Sequence, residues 1–316
     1  MIKKSIVGLS ILVTIVNLAD VPYNRPVFEK MLSGDSFRQL ADFILESNCP
    51  WEIKNYRGNL KPENVTPGDI VFVETCGLEL FFQDYYPKIN SPFILITHNH
   101  DSSAPRQLAN YLDDPKIIKW FTFNPTITHE KLIPLPLGLS NRGYNHSSLH
   151  ENIINKVLSQ NKATEKNIFL YINFDWQTAP LIRKPIWDYF GKLTLTNFGK
   201  KIVFPKSRKP FEQFIKDLSN SRFTISPQGS GMDCHRVWEA LYVGCIPVVK
   251  SSSLDQLYSN FPVIIVQRWE QVSEEFLLQK EAELKNKNFN IEMLYIDYWK
   301  NKVLELKRQS KSHTTA

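Results

Sequence analysis

Phe223-Thr-Ile-Ser-Pro-Gln-Gly-Ser-Gly-Met-Asp-Cys-His-Arg-Val-Trp-Glu-Ala-Leu-Tyr-Val-Gly-Cys-Ile-Pro-Val-Val249 is the stretch on which the fold turns. Its opening residues read as a buried strand, Pro227 to Gly231 as a loop, and the residues from His235 as a helix whose Val237, Ala240 and Leu241 face a sheet. Gly244 stops the helix and a second apolar strand follows. Strand, loop, helix and strand make one crossover of a parallel sheet. Gly229 and Gly231 allow close approach of the backbone to a ligand. The loop delivers that ligand to the amino end of a helix, where free N–H groups and the helix dipole favour phosphate. Arg236 in the first turn can add a two-pronged contact to phosphate oxygens. Glu239, three residues on, shares that face and can accept hydrogen bonds from two ribose hydroxyls. The competing interpretation is a capped helix after a glycine turn, with Asp233 as N-cap and Arg236 and Glu239 as a surface ion pair. Neither the P-loop, which needs a Gly-Lys-Ser/Thr, nor the GxGxxG dinucleotide fingerprint is present.

The same alternation extends in both directions. Strands are expected at residues 167–174, 202–204 and 262–267, and helices at 180–190, 210–219, 273–286 and 291–307. On the amino-terminal side, Ile70-Val-Phe-Val73 and Phe93-Ile-Leu-Ile-Thr97 are short continuous apolar runs, as in strands buried on both faces. The second run empties into His98-Asn-His-Asp-Ser-Ser103, a polar loop at a carboxyl strand end, where open α/β sheets bind ligands. Further strands are expected at 120–123 and 131–138, and a scaffold helix over 28–46. The fold class is therefore α/β with doubly wound sheets. The organisation expected is a leader over 1–19, an amino-terminal α/β domain over 20–145 and a connection over 146–166. A carboxyl-terminal domain over 167–290 and a final helix with basic tail over 291–316 complete it.

Composition narrows the classes. A chain of 316 residues, 42% hydrophobic and 22% charged, is an ordinary globular balance sized for about two domains. The 4 cysteines show no CxxC pair and no zinc-type spacing, so neither a redox dithiol nor a structural zinc is supported. Net charge is +6, with the basic residues scattered, and no nucleic-acid reading motif occurs, so no nucleic-acid partner is expected. Met1-Ile-Lys-Lys precedes an apolar run over 5–18, the pattern of a signal peptide or signal-anchor. Asn17 makes cleavage after Ala19 a poor site, which keeps an anchor and membrane association open. The expected location is the secretory lumen, Golgi or ER, or an otherwise exported or membrane-associated one.

The run over 221–269, with Arg236, Glu239-Ala-Leu241, Gly244-Cys-Ile-Pro247 and the later 257–266, resembles the carboxyl-terminal domain of exostosin-like glycosyltransferases. The stretch 169–183 is similar to that family's entry to its second domain. Fucosyltransferases place a similar strand, loop and Glu-bearing helix before a Gly-x-x-Pro-Val run. The resemblance implies a GT-B-like fold, two Rossmann-like domains facing across a cleft, with carboxyl-terminal helices packing back. It implies a nucleotide-diphosphate sugar as donor, a UDP-sugar being favoured, and a glycan or glycoprotein hydroxyl as acceptor. Carried over by position, Gly229, Ser230, Gly231 and Arg236 would meet the diphosphate and Glu239 the ribose, with Ser226 and Gln228 beside them and Arg183 reaching the donor phosphates.

No Asp-x-Asp triplet occurs, so a metal-independent reaction without cofactor is expected, the leaving diphosphate being stabilised by cationic side chains and a helix dipole. An attacking hydroxyl needs a general base if configuration inverts, and Asp101 and His100 are the candidates, Asp101 preferred because it is charged at neutral pH. Glu74 and Glu79 are comparable acidic residues after the preceding strand. Two other functions compete: a nonenzymatic nucleotide- or carbohydrate-binding protein, and a metal hydrolase built on His98 to Asp101.

Overall fold

Apolar runs with no polar alternation require a sheet covered on both faces, and the chain builds two. The computed structural model describes residues 31–47, 56–141, 150–160, 165–193, 202–205, 207 and 209–314. The first sheet comprises β1 (Phe43–Ser47), β2 (Tyr56–Gly58), β3 (Ile70–Glu74), β4 (Phe93–His98), β5 (Ile117–Thr122) and β6 (Leu132–Pro134). Its order is β2-β1-β3-β4-β5-β6, parallel except for the antiparallel β2. The second comprises β7 (Ile168–Tyr171), β8 (Ile202–Val203), β9 (Ser221–Ile225), β10 (Ile246–Lys250) and β11 (Ile264–Val266). It is wholly parallel in the order β11-β10-β9-β7-β8. The helices are α1 (Gly34–Arg38), a single turn α2 (Leu78–Leu80), α3 (His150–Gln160), α4 (Pro180–Leu193) and α5 (Phe211–Ser219). Beyond them lie α6 (His235–Tyr242), α7 (Asp255–Tyr258), α8 (Glu274–Lys285) and α9 (Ile296–Thr314).

Two sheets of mainly parallel strands, with helices between them, bear out the expected α/β class. In the second sheet the chain steps outward from β7 to β8, then returns to place β9 on the other side of β7. That reversal between β7 and β9 is the switch point at which open α/β sheets hold ligands. In the first sheet β2 lies beside β1 as the antiparallel edge, and β3 to β6 follow in order on the other side of β1.

The helix expected over 28–46 is corrected: within the described part only 34–38 is helical, and Phe43–Ser47 is a strand. Asp42 makes the break, because its N–H donates to Ile70 O (2.9 Å) and its carboxylate accepts from Ile70 N (2.8 Å). Residues 43–45 then pair with 71–73 of β3, and this long-range pairing outweighs a local helical spacing.

One buried cluster joins the sheets, running from Phe72, Ile96 and Phe121 to Val237, Trp238 and Leu241 of α6 and to Trp299 and Val303 of α9. The last helix thus packs back on the first sheet as expected. Its Lys307, within the basic tail, pairs with Asp42 (2.5 Å) and Asp69 (3.4 Å). Gly68, at φ +80°, abuts this helix: a Cβ there would lie 2.8 Å from Lys307 O. No helix among the described residues is long and apolar enough to cross a membrane. The leader expected over 1–19 lies outside the described residues.

Candidate functional site

After β9 the chain passes through Ser226 to Gly231 and enters α6 at Cys234, the N-cap residue, whose side chain makes no capping bond. The helix ends at Val243 with Gly244 left-handed at φ +70°. Cys245 N donates to Ala240 O (2.9 Å) and Gly244 N to Leu241 O (3.2 Å), the paired bonds that let a glycine close a helix and release a strand. Asp233 does not cap the helix, which corrects that part of the competing interpretation. Its Oδ1 accepts from Cys234 N (2.8 Å) and Tyr258 OH (2.8 Å), its Oδ2 from Trp238 Nε1 (2.8 Å) and Leu137 N (2.9 Å). Burial pushes this carboxyl up to about 6 against the pull of those four donors. Since Leu137 belongs to the chain after β6, Asp233 pins the entrance of α6 to the first sheet.

Nor are Arg236 and Glu239 a surface pair. Glu239 is only 7% exposed, and its carboxylate accepts no hydrogen bond among the described residues. Burial raises it to about 7, with Arg236 pulling the other way. Arg236 is half-buried, with a buried Nε that has no partner. Ser226 Oγ is likewise buried and unpartnered. Unmet polar atoms of both signs therefore gather where the loop enters the helix, and buried polar groups are ordinarily satisfied.

Arg183 reaches the same loop from α4. Its Nε donates to Gln228 O (2.8 Å), Nη2 to Pro227 O (3.2 Å) and Nη1 to Asp175 O (3.0 Å). Three of its five N–H donors are thus spent on backbone, which makes it first a clamp on the loop. Burial lowers its pKa, and the nearby Arg236 adds to the lowering. The loop glycines make room for protein: a Cβ on Gly229 would lie 3.0 Å from Arg183 Nη2, and one on Gly231 2.4 Å from Asn124 Nδ2. Gln228 is half-buried and Ser230 exposed.

Loops from the first sheet complete the site. A Cβ on Gly231 would stand 3.5 Å from the main-chain oxygen of Asp101, so the loops after β4 and β9 meet. Asp101 itself is exposed. His100 is half-buried; its Nδ1 accepts from Ser102 N (3.2 Å) and lies 2.9 Å from Ser102 Oγ, and burial lowers its pKa. His98 is fully buried between Phe37 and Phe123, with ring centroids at 5.5 and 4.5 Å. Its Nε2 lies 3.2 Å from Pro136 O and its Nδ1 accepts from Asn99 N (2.8 Å), so neither nitrogen is free for a metal. Desolvation pushes it down to about 4. Glu79, the alternative acid, accepts from Gln107 Nε2 (2.6 Å) at the surface. No group of three His, Cys, Asp or Glu side chains suited to a metal occurs among the described residues.

Residues 188–313 match the family model of the RXYLT1 C-terminal domain. This part of the chain is similar to a glycosyltransferase domain. The match encloses the whole Ser226 to Glu239 constellation. Among solved structures, the chain is similar to an α1,3-fucosyltransferase with GDP (14% identity, TM-score 0.36, 78% of each chain covered). It is also similar to the pneumococcal O-GlcNAc transferase GtfA in complex with UDP and GlcNAc (11% identity, TM-score 0.36, 77% of this chain and 58% of that one). Comparison with curated proteins gives no match.

Three residues of this site escape sequence reasoning as functional groups. Asn124, left-handed at φ +51°, accepts from Asp233 N (2.9 Å) and leaves a buried Nδ2 unpartnered. Asp233 was assigned a cap. His235 donates from Nδ1 to Gly138 O (2.7 Å), a bond that joins residues 97 apart in the chain. Only the Asn-Pro after a strand run, at 124–125, is a local signal for any of the three. Trp238, next in α6 to Glu239, is wholly buried and donates to Asp233, hence a packing group.

Proposed function

We propose that the protein transfers a sugar from a nucleoside diphosphate sugar, with UDP as the favoured nucleotide, to a hydroxyl of a glycan or glycoprotein. The observation that carries this reading is the coincidence, at one loop–helix junction, of an unpartnered buried Arg236 Nε, an unpartnered Ser226 Oγ and a buried Glu239 carboxylate. A nucleoside diphosphate supplies the matching groups: phosphate oxygens for Arg236 and the uncapped first turn of α6, and ribose hydroxyls for Glu239. Gly229, Ser230 and Gly231 lead the chain past the diphosphate, with Ser226, Gln228 and the Arg183 clamp holding the loop behind it. As the bond from sugar to phosphate breaks, charge grows on the diphosphate, and donors already in place stabilise it without reorganising. Positive charge from Arg236, Arg183 and the helix end serves in place of a divalent cation in this reading. The acceptor enters from the loop that carries His100 and Asp101. The basic-then-apolar pattern of residues 1–19 supports a secretory-pathway location with membrane association.

Calorimetric titration of the protein with UDP, GDP and uridine in EDTA tests the site. Saturable UDP binding is expected. Arg236→Ala should weaken UDP by roughly 10- to 100-fold, the value of one or two charge-assisted hydrogen bonds, and uridine far less. Equal losses for UDP and uridine would contradict the placement of that side chain, and absence of nucleotide binding would remove the reading.

A further inference from the structure

We propose that His235 is the catalytic base of this transfer: its open Nε2, held beside Arg236 by the Nδ1–H bond to Gly138 O, takes the proton of the attacking hydroxyl. The proposal rests on the nucleotide-sugar reading above and adds a residue to it.

The argument is one of tautomers. A neutral imidazole has one N–H and one lone pair, and the bond made by one nitrogen decides what the other can do. In His100 the lone pair sits on Nδ1, where it is occupied by Ser102 N, so its Nε2 carries the proton and cannot accept another. In His98 the same tautomer follows from Asn99 N at Nδ1 and Pro136 O at Nε2, and both nitrogens are used. His235 has the opposite arrangement. A carbonyl oxygen cannot donate, so Nδ1 must carry the hydrogen at 2.7 Å from Gly138 O, and the lone pair lies on Nε2. The ring is half-buried, and Nε2 has no partner among the described residues while not being sealed from solvent.

Position agrees with this chemistry. His235 is the first residue of α6, next to Arg236 and across from the loop that carries Asp101. Burial holds its pKa below the ordinary value, Arg236 lowers it further, and Asp101 and the Gly138 bond oppose them. The positive end of the helix works in the same direction as burial. The titratable groups that face it are Asp101 from the loop after β4, Arg236 on its own helix, His98 at the end of β4 and His150 from α3. Asp101 then acts through His235, favouring the imidazolium as it forms.

In the step itself, the hydroxyl oxygen bonds to the anomeric carbon while its proton passes to Nε2. The bond from that carbon to the diphosphate oxygen breaks, and its electron pair leaves with the nucleoside diphosphate. The proton on Nε2 is afterwards released to water. Displacement of this kind inverts the anomeric configuration.

The variant His235→Asn keeps an N–H near the Nδ1 position for Gly138 O and removes the base. Water serves as the test acceptor, and nucleotide release is followed from UDP-xylose, UDP-glucose, UDP-N-acetylglucosamine and GDP-fucose. Wild type should release nucleotide from at least one, with a rate lost as pH falls through a midpoint below 6.5, where the base becomes protonated. The variant should bind UDP within about threefold of wild type yet release nucleotide roughly 100-fold or more slowly, with the acid limb gone. Release at the wild-type rate by His235→Asn would overturn the proposal, as would a wild type that binds UDP and turns over no probe. If His235→Asn fails to fold, His235→Gln, which also lacks a base, answers the same question. A wild type that binds neither UDP nor GDP would overturn the nucleotide site itself, a failure the titration separates from loss of the base.

Discussion

Glu239 is a carboxylic acid buried without a hydrogen-bond donor, and in the free protein that is a cost. Its folded pKa of about 7 lies above the ordinary 4.5. Below pH 4.5 both folded and unfolded chains hold the proton and no penalty exists. As pH rises through the window from 4.5 to 7 the unfolded state ionises first, and the folded state loses up to about 3 kcal/mol relative to it. Glu239→Gln removes the ionisable group. The variant should therefore be more stable than wild type at pH 8, and the gain should vanish toward pH 4, as read by denaturant unfolding at several pH values. Asp233, raised to about 6, contributes a slope of the same sign in both proteins and cancels in the comparison. UDP should bind the variant more weakly, because a carboxamide accepts ribose hydroxyl bonds less well than a carboxylate. A variant destabilised equally at pH 4 and pH 8 would show that the carboxylate has a structural partner instead.

At the scale of the element, α6 and its loop show why a site is built from glycine. Gly231→Ala would set a Cβ 2.4 Å from Asn124 Nδ2, and Asn124 cannot retreat without breaking its bond to Asp233 N. Overpacking of this kind costs about 1–3 kcal/mol. Gly229→Ala meets only the tip of Arg183 at 3.0 Å, so it should be milder in both unfolding free energy and UDP affinity; equal effects would contradict this account of the loop. The strand–loop–helix–strand unit was legible in the sequence because each boundary has a local cause: Phe223 and Ile225 before the loop, the apolar run 246–249 after the helix, glycines in the loop, and Gly244 at the stop. The helix expected over 28–46 failed because Phe43 and Ile44 fit a helical spacing as well as a strand, and the partner that decides, β3, lies 28 residues away. Strand polarity places loops 98–103 and 226–233 at the carboxyl ends of β4 and β9, but not against each other, because the two strands belong to different sheets. The tautomer of His235 could not be expected either, since Gly138 sets it from the other sheet. Asp233, adjacent to the helix, looks like a cap in sequence, yet two of its four donors, Leu137 and Tyr258, are distant in the chain.

At the scale of the molecule, the two sheets are joined by one buried cluster. Their shared core, the return of α9 to the first sheet and the Asp233 pin make the site's geometry a property of both. Leu32 N donates to Tyr242 OH (2.7 Å), which itself donates to Leu294 O (2.6 Å), so the end of α6, like its start, is tied to residues distant in the chain. Asp233→Asn tests this coupling. In place of one carboxylate oxygen the amide presents N–H groups to a pair of donors, which then find no acceptor, and buried donors left unmet cost about 2–4 kcal/mol. If the shared core makes unfolding cooperative, the most slowly exchanging amides of β4 and β9 open through the same global event. Native-state hydrogen exchange should then show protection of both strands falling together, by the same factor, in Asp233→Asn. A loss confined to β9 with β4 unchanged would mean that the sheets unfold separately and that the pin serves the loop alone. Because ligand that binds only the folded state adds RT ln(1 + [L]/Kd) to stability, UDP should raise protection in both strands under the first outcome, although its contacts lie almost wholly on the second sheet.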